Sequence, residues 1–241
     1  MDAQSRIMRT AIVSAMHQEL AAVLDLLPDE QKQQVAGREF WLGHLHGQEV
    51  VAVLSRIGKV AAATTAAVLL ERFQVDRIVF TGVAGGLATG VNRGDVVVAD
   101  AFLQHDLDAS PIFPRYEVPL YGTDRFATDR ELTAQLASAA AQALHGTRVH
   151  RGLVVSGDRF VSSSSESRAL QAALPDALAV EMEGAAFAQV CHDYRVPFAA
   201  VRTVSDRADD DAHGDFLQFI EQVASRHSAA IVEAFLRGAG R

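Results

Sequence analysis

The chain has 241 residues, 49% hydrophobic and 22% charged, an ordinary globular composition long enough to bury one sizeable core. A formal net charge of −8, with no local Lys/Arg cluster to offset it, argues against nucleic acid as a partner, because phosphate backbones are held by positive charge. Cys191, the single cysteine, excludes an internal disulfide and fits a reducing compartment.

No membrane span is expected, since the longest apolar stretch, Val60 to Leu70, is too short and carries two threonines. The first residues, Met-Asp-Ala-Gln-Ser-Arg, lack a signal peptide's apolar core, so a cytoplasmic protein is the expectation. Thr10 to Ser14 predicts a strand, followed by a helix from His17 to Leu27 that ends before Pro28. Phe40–Leu45 and Glu49–Ser55 predict paired strands turned at His46-Gly47, and Val60–Phe73 a long alanine-rich helix. Arg77–Thr81 predicts a buried strand stopped by the turn Gly82-Val-Ala-Gly-Gly86. Asp95–Ala101 is the next strand, and Asp129–Leu144, with apolar residues three and four apart, the next helix. Gly152–Ser156 and Ala177–Glu183 predict strands with a helix between them that starts near the run Ser162 to Ser165. A buried strand over Pro197–Val204 and an amphipathic helix over Phe216–Leu236 close the chain. This alternation predicts an α/β fold: three layers, α/β/α, around a twisted, mostly parallel mixed sheet. No linker or composition break divides residues 10–241, which are expected to form one domain, with residues 1–9 as an extension.

Several strand ends carry unusual chemistry. Glu181 and Glu183 sit in an apolar run, and an ionised carboxylate costs several kcal/mol to bury unless it is paired. Spaced by two, they would share a face if the strand continued through them. Taken alone, the stretch fits a structural ion pair with an arginine elsewhere as well as a ligand site at a strand end. Glu19 falls in the first turn of its helix, where a carboxylate also complements the helix dipole. The 82–86 glycines would let backbone N–H groups approach a ligand, but they match neither a dinucleotide fingerprint nor a P-loop. Ser162–Glu166 reads as a helix cap, and Phe160, just past a strand end, as either a core residue or a stacking platform. Ser205-Asp206 follows a buried strand like a positioned acid. The acidic run to Asp211 lacks the alternation and glycine of a calcium loop, and His213 has no partner histidine, so no metal or other cofactor is expected. Cys191 and His192 are consecutive on a helix and cannot face each other, which leaves Cys191 as a structural thiol.

In order, Ala15-Met-His-Gln-Glu19, Ile57-Gly-Lys-Val60, Gly82-Val-Ala-Gly-Gly86, Val155-Ser-Gly-Asp-Arg-Phe160, Val180-Glu-Met-Glu-Gly184 and Arg202-Thr-Val-Ser-Asp206 resemble the 5′-methylthioadenosine/S-adenosylhomocysteine nucleosidases of the purine nucleoside phosphorylase fold superfamily. The resemblance covers nearly the whole chain from Thr10. It implies hydrolysis of the N-glycosidic bond of 5′-modified adenosines, with Glu19 as the base that activates water and Asp206, held by Ser205, as the acid that protonates adenine N7. It further implies that Glu183 binds the ribose hydroxyls, Met182 and Met16 pack along the nucleoside, Phe160 stacks on adenine and Val161 reads its edge through the backbone. Gly85 would lie against the sugar, Arg202 would place the carboxylates and water, and Phe216 would line the 5′-alkylthio pocket. A loop around Phe113 and Ile112 would reach the neighbouring site of a homodimer. Val83 stands where many relatives have a serine.

Three rivals remain. A phosphorylase would gather arginines around phosphate, and neither the 15–17 nor the 82–86 segment has one, although Arg56 lies nearby. A non-catalytic nucleoside-binding protein would be expected to lack Glu19, Glu183 or Asp206, and all three are present. An aminofutalosine hydrolase would share the adenine and ribose contacts.

Overall fold

Residues 8–208 and 219–238 are described by the computed structural model. Ten strands and six helices appear among them: β1 (Arg9–Ser14), α1 (His17–Leu24), β2 (Gln31–Val35), β3 (Arg38–Leu45), β4 (Gln48–Leu54), α2 (Lys59–Glu71), β5 (Arg77–Gly86), β6 (Val96–Gln104), β7 (Arg125–Ala127), α3 (Arg130–Ala143), β8 (Val149–Ser156), α4 (Ser164–Ala173), β9 (Ala177–Glu181), α5 (Gly184–Tyr194), β10 (Phe198–Asp206) and α6 (Ser225–Gly238). A π-helical turn, Ile220–Ala224, leads into α6, and the first residues of the helix expected from Phe216 lie outside the described residues.

The α/β class and layered architecture follow from how the apolar runs divide. Ile12, Val50, Ala52, Val79, Val96, Val98, Ala199 and Val201 pack on one side with α1, α3 and α6. Their immediate neighbours Ala11, Val13, Val51, Val53, Ile78, Phe80, Val97, Ala99 and Ala200 pack on the other with α2 and α5. Period-two alternation with both faces apolar is what a sheet covered on both sides requires. Each buried Val, Ile or Phe among them contributes about 1.5–3 kcal/mol by leaving water. Helix α2 is alanine-rich because its neighbour α5 also presents small residues, Ala185, Ala186 and Ala188, and close approach needs small side chains.

The sheet is mixed and closes partly on itself. β5 runs parallel to β10, β10 antiparallel to β6, β6 and β8 and then β9 parallel, and β9 returns antiparallel to β5. From β5 an open flank extends through β1, β4, β3 and β2, and β7 adds to β6.

The expected glycine turn is a correction. β5 continues through Gly82–Gly86, pairing with β10 as far as Gly85 and with β9 at Gly85 and Gly86. These glycines supply space: a Cβ on Gly85 would lie 2.9 Å from Ala208 Cβ and 3.1 Å from Asp206 Oδ1, and one on Gly86 3.1 Å from Val204 Cγ1. Strand β9 also ends sooner than expected, at Glu181, so Glu181 and Glu183 do not share a strand face. Asp206, expected just beyond a strand, is the last residue of β10, where the pairing shifts register against Gly85. Ser163 caps α4 by accepting the Glu166 N–H, as the serine run predicts. Cys191 is buried, and burial pushes its thiol up to about 12, the behaviour of an inert structural thiol.

Candidate active site

A cavity of about 350 Å³ opens where β1, β5, β8, β9 and β10 end. It is lined by Met16, Gly85, Phe160, Val161, Met182, Glu183, Ser205 and Asp206, eight residues singled out from sequence. Glu19 and Arg202 are fully buried behind this lining. Phe113 is half-buried in the segment after β6 and is not part of the lining, and Phe216 lies outside the described residues.

Each polar group is set by local chain geometry. Met16 is the extended N-cap residue of α1, and its N–H donates to Glu19 Oε2 at 3.3 Å, which turns the carboxylate back toward the start of the helix. The other oxygen, Oε1, is buried and has no hydrogen-bond partner among the described residues. Burial therefore dominates and raises the Glu19 pKa to about 7, against the opposing pull of the Arg202 charge and the Met16 N–H.

At the end of β10 the Ser205 hydroxyl donates to Asp206 Oδ2 and the Ala208 N–H to Oδ1, both at 2.7 Å. The carboxylate is held from both sides, and the bare Cα of Gly85 makes room for it.

The acidic pair resolves into two unlike residues. Glu181 is the ion-paired one: Arg202 Nη2 donates to it at 2.8 Å, the Ser156 hydroxyl donates to it, and the N–H groups of Glu183 and Gly184 donate at 3.2 and 2.9 Å. Arg202 also donates Nη1 to the Phe80 and Val201 carbonyls at 3.1 Å and lies 4.1 Å over the Phe80 ring. Ser156 accepts the Ala185 N–H at 2.8 Å, so this cluster also satisfies the first turn of α5. Glu183, the N-cap residue of α5, instead accepts the Gly58 N–H at 2.8 Å across the cavity edge. Burial, and secondarily the Glu181 charge, raise its pKa.

Sequence reasoning offered an ion pair with an arginine for this stretch without assigning it to Glu181, and it missed the Gly58 N–H as the partner of Glu183. Ala15, Ile57, Val83, Arg159 and Val180 also line the cavity. The available signal was Ile57-Gly-Lys: Gly58 has φ +93°, a conformation that favours glycine. Among the described residues no three His, Cys, Asp or Glu side chains come together in a way that could hold a metal ion.

The family model described as Phosphorylase superfamily matches residues 9–237. A curated 5′-methylthioadenosine/S-adenosylhomocysteine nucleosidase of Bacillus cytotoxicus is 38% identical over 94% of this chain and 97% of its own length. Among solved structures, the nucleosidase of that name from Neisseria meningitidis, in complex with methylthio-immucillin-A, is 36% identical with a TM-score of 0.90, covering 95% of this chain and 99% of that one. The futalosine hydrolase of Helicobacter pylori is also similar, at 31% identity and a TM-score of 0.89, over 96% of this chain and 98% of that one.

Proposed function

The chain belongs to the phosphorylase superfamily and, within it, to the 5′-methylthioadenosine/S-adenosylhomocysteine nucleosidases, and on that premise we propose that Glu19 and Asp206 divide the chemistry of N-glycosidic hydrolysis between them. The enzyme cleaves methylthioadenosine and adenosylhomocysteine to adenine and the 5-thioribose. Breaking that bond leaves a cation-like sugar and an electron-rich base. Asp206 gives a proton to adenine N7, removing charge from the leaving group. Water adds to C1′ as Glu19 takes its proton, and Glu183 holds the ribose hydroxyls. Phe160, 38% exposed at the rim, offers a face for the adenine ring.

One observation carries this division of labour: Glu19 is buried with one oxygen unpartnered among the described residues, and burial pushes its pKa up to about 7, the range in which a general base works best at neutral pH. Hydrolysis is favoured over phosphorolysis by the arginines. Arg202, buried behind the lining, is held by Glu181, Arg159 at the lining pairs with Glu166, and Arg56 donates to the Gly37 carbonyl, so among the described residues no arginine cluster gathers at the cavity.

A homodimer is supported by exposed apolar side chains near the site and in the 112–120 segment: Ile57, Val60, Ile112 and Leu120 are 58%, 80%, 82% and 91% exposed. Phe113 lies in the same segment and would complete the neighbouring alkylthio pocket. Clearing sulfur-bearing adenine nucleosides fits a cytoplasmic role in methionine salvage.

The likeness to a futalosine hydrolase favours a second reading, in which aminofutalosine is also a substrate. Incubating the purified protein with each nucleoside, with and without phosphate, and measuring free adenine separates these readings. Phosphate-independent adenine release from methylthioadenosine is expected, and a sugar phosphate product would overturn the hydrolytic reading.

A further inference from the structure

Outside the cavity, three strand-end segments are tied together by charged side chains that the mechanism does not use. Lys59 Nζ donates to Asp106 Oδ1 at 2.6 Å, and the Lys59 backbone N–H donates to Asp158 Oδ1 at 2.7 Å. The Asp158 N–H in turn donates to Asp106 Oδ2 at 2.9 Å, and the Lys59 ammonium lies 4.0 Å from Asp158 Oδ2. The start of α2, the segment after β6 and the segment after β8 thus form a closed bracket.

Two glycines make room for it. A Cβ on Gly157 would lie 2.4 Å from His105 Nε2 and 3.1 Å from Asp106 Cγ, and one on Gly58 3.1 Å from Asp158 Oδ1. Gly58, one residue before the bracketed Lys59, is the residue whose N–H donates to Glu183 Oε1. Lys59 is mostly buried and meets both aspartates, so the α2 start has little freedom to carry Gly58 away.

We propose that Lys59, Asp106 and Asp158 are positioning residues for ribose recognition: the bracket fixes the Gly58 N–H, and the Gly58 N–H fixes Glu183. None of the three needs to touch the substrate. This inference rests on Glu183 being the group that binds the ribose hydroxyls. An N–H donated to a carboxylate is among the stronger hydrogen bonds, so losing its alignment is felt where that carboxylate works. The bracket carries ionised groups near the surface, so its effect should also weaken as salt rises.

The test compares Asp158→Ala and Asp106→Ala with wild type on methylthioadenosine and on its 2′,3′-dideoxy analogue. Each variant is expected to lose about ten- to a hundredfold in kcat/KM on the ribonucleoside, the range of one charged hydrogen bond, and little on the dideoxy analogue. Asp158→Asn, which keeps an acceptor for the Lys59 N–H, should recover most of the loss. An equal loss on both substrates, or no recovery in Asp158→Asn, would overturn the proposal by making the bracket merely structural. Glu183→Ala provides the separate control: if it fails to discriminate between the two substrates, the reading of Glu183 falls, and the bracket's role falls with it.

Discussion

At the β9–α5 junction Glu181 is met by Ser156, Arg202 and two backbone N–H groups, whereas at the β1–α1 junction Glu19, at least as deeply buried, receives one bond of 3.3 Å. Both are carboxylates at strand-to-helix turns, and both sit near the same guanidinium. The difference lies in how many donors reach them. Satisfying a buried carboxylate makes it part of the framework, whereas leaving one oxygen without a donor keeps the charged form costly and the proton exchangeable near neutral pH. Buried charge by itself is therefore a poor guide to reactivity, and the state of its hydrogen bonds is a better one.

The contrast breaks most visibly in turnover. Glu19→Gln keeps the shape and removes the proposed base, and kcat should fall by roughly two to four orders of magnitude with the far-UV circular dichroism unchanged. Near-normal activity would remove Glu19 from the mechanism. Arg202→Met strikes the other junction: stranding Glu181 should cost about 3–5 kcal/mol in denaturant unfolding. Because Arg202 also lowers the Glu19 pKa, the acid limb of any remaining activity should move to higher pH.

The next effect is one of pH. The folded-state Glu19 pKa, about 7, lies above its ordinary value of 4.5, so the folded protein holds this proton more tightly. The associated stability is fully present below about pH 4.5 and is lost as pH rises through about 7, a swing on the order of 3 kcal/mol. Glu19→Gln should therefore unfold at a higher temperature than wild type at pH 8, with the gap narrowing toward pH 5. Over the same window kcat/KM should climb with pH as Glu19 ionises. Smallest is Ser156→Ala, which removes one of the donors to Glu181 and should cost about 1–2 kcal/mol of stability with little change in kcat. A large kcat effect there would blur the division between the two junctions.

Most of the layered fold was legible because strands covered on both faces are written as unbroken apolar runs, as in Ala11-Ile-Val13 and Val50–Val53. β2 was not, because Gln31–Gln34 is polar and exposed at the edge of the sheet, where no face need be apolar. β7 was too short to show a period. The 82–86 glycines read locally as a turn, and only the approach of Asp206, Ala208 and Val204 from other parts of the chain explains why they remain a strand. The same limit applies to the site. Met16, Gly85, Phe160 and Met182 were visible through their motifs, whereas the Arg202–Glu181 pairing and the Gly58 bond to Glu183 join residues 21 and 125 positions apart, and no local pattern encodes them.

The circuit of β5, β10, β6, β8 and β9 also bears on how the enzyme is born. Its closing member, β10, is the last of the described strands in chain order and carries Asp206, the proposed acid, so the cavity lacks that group until β10 has paired with β5 and β6. Long-range pairings of this kind form late and slowly. Adenine release is therefore expected only from chains in which β10 has paired with β5 and β6.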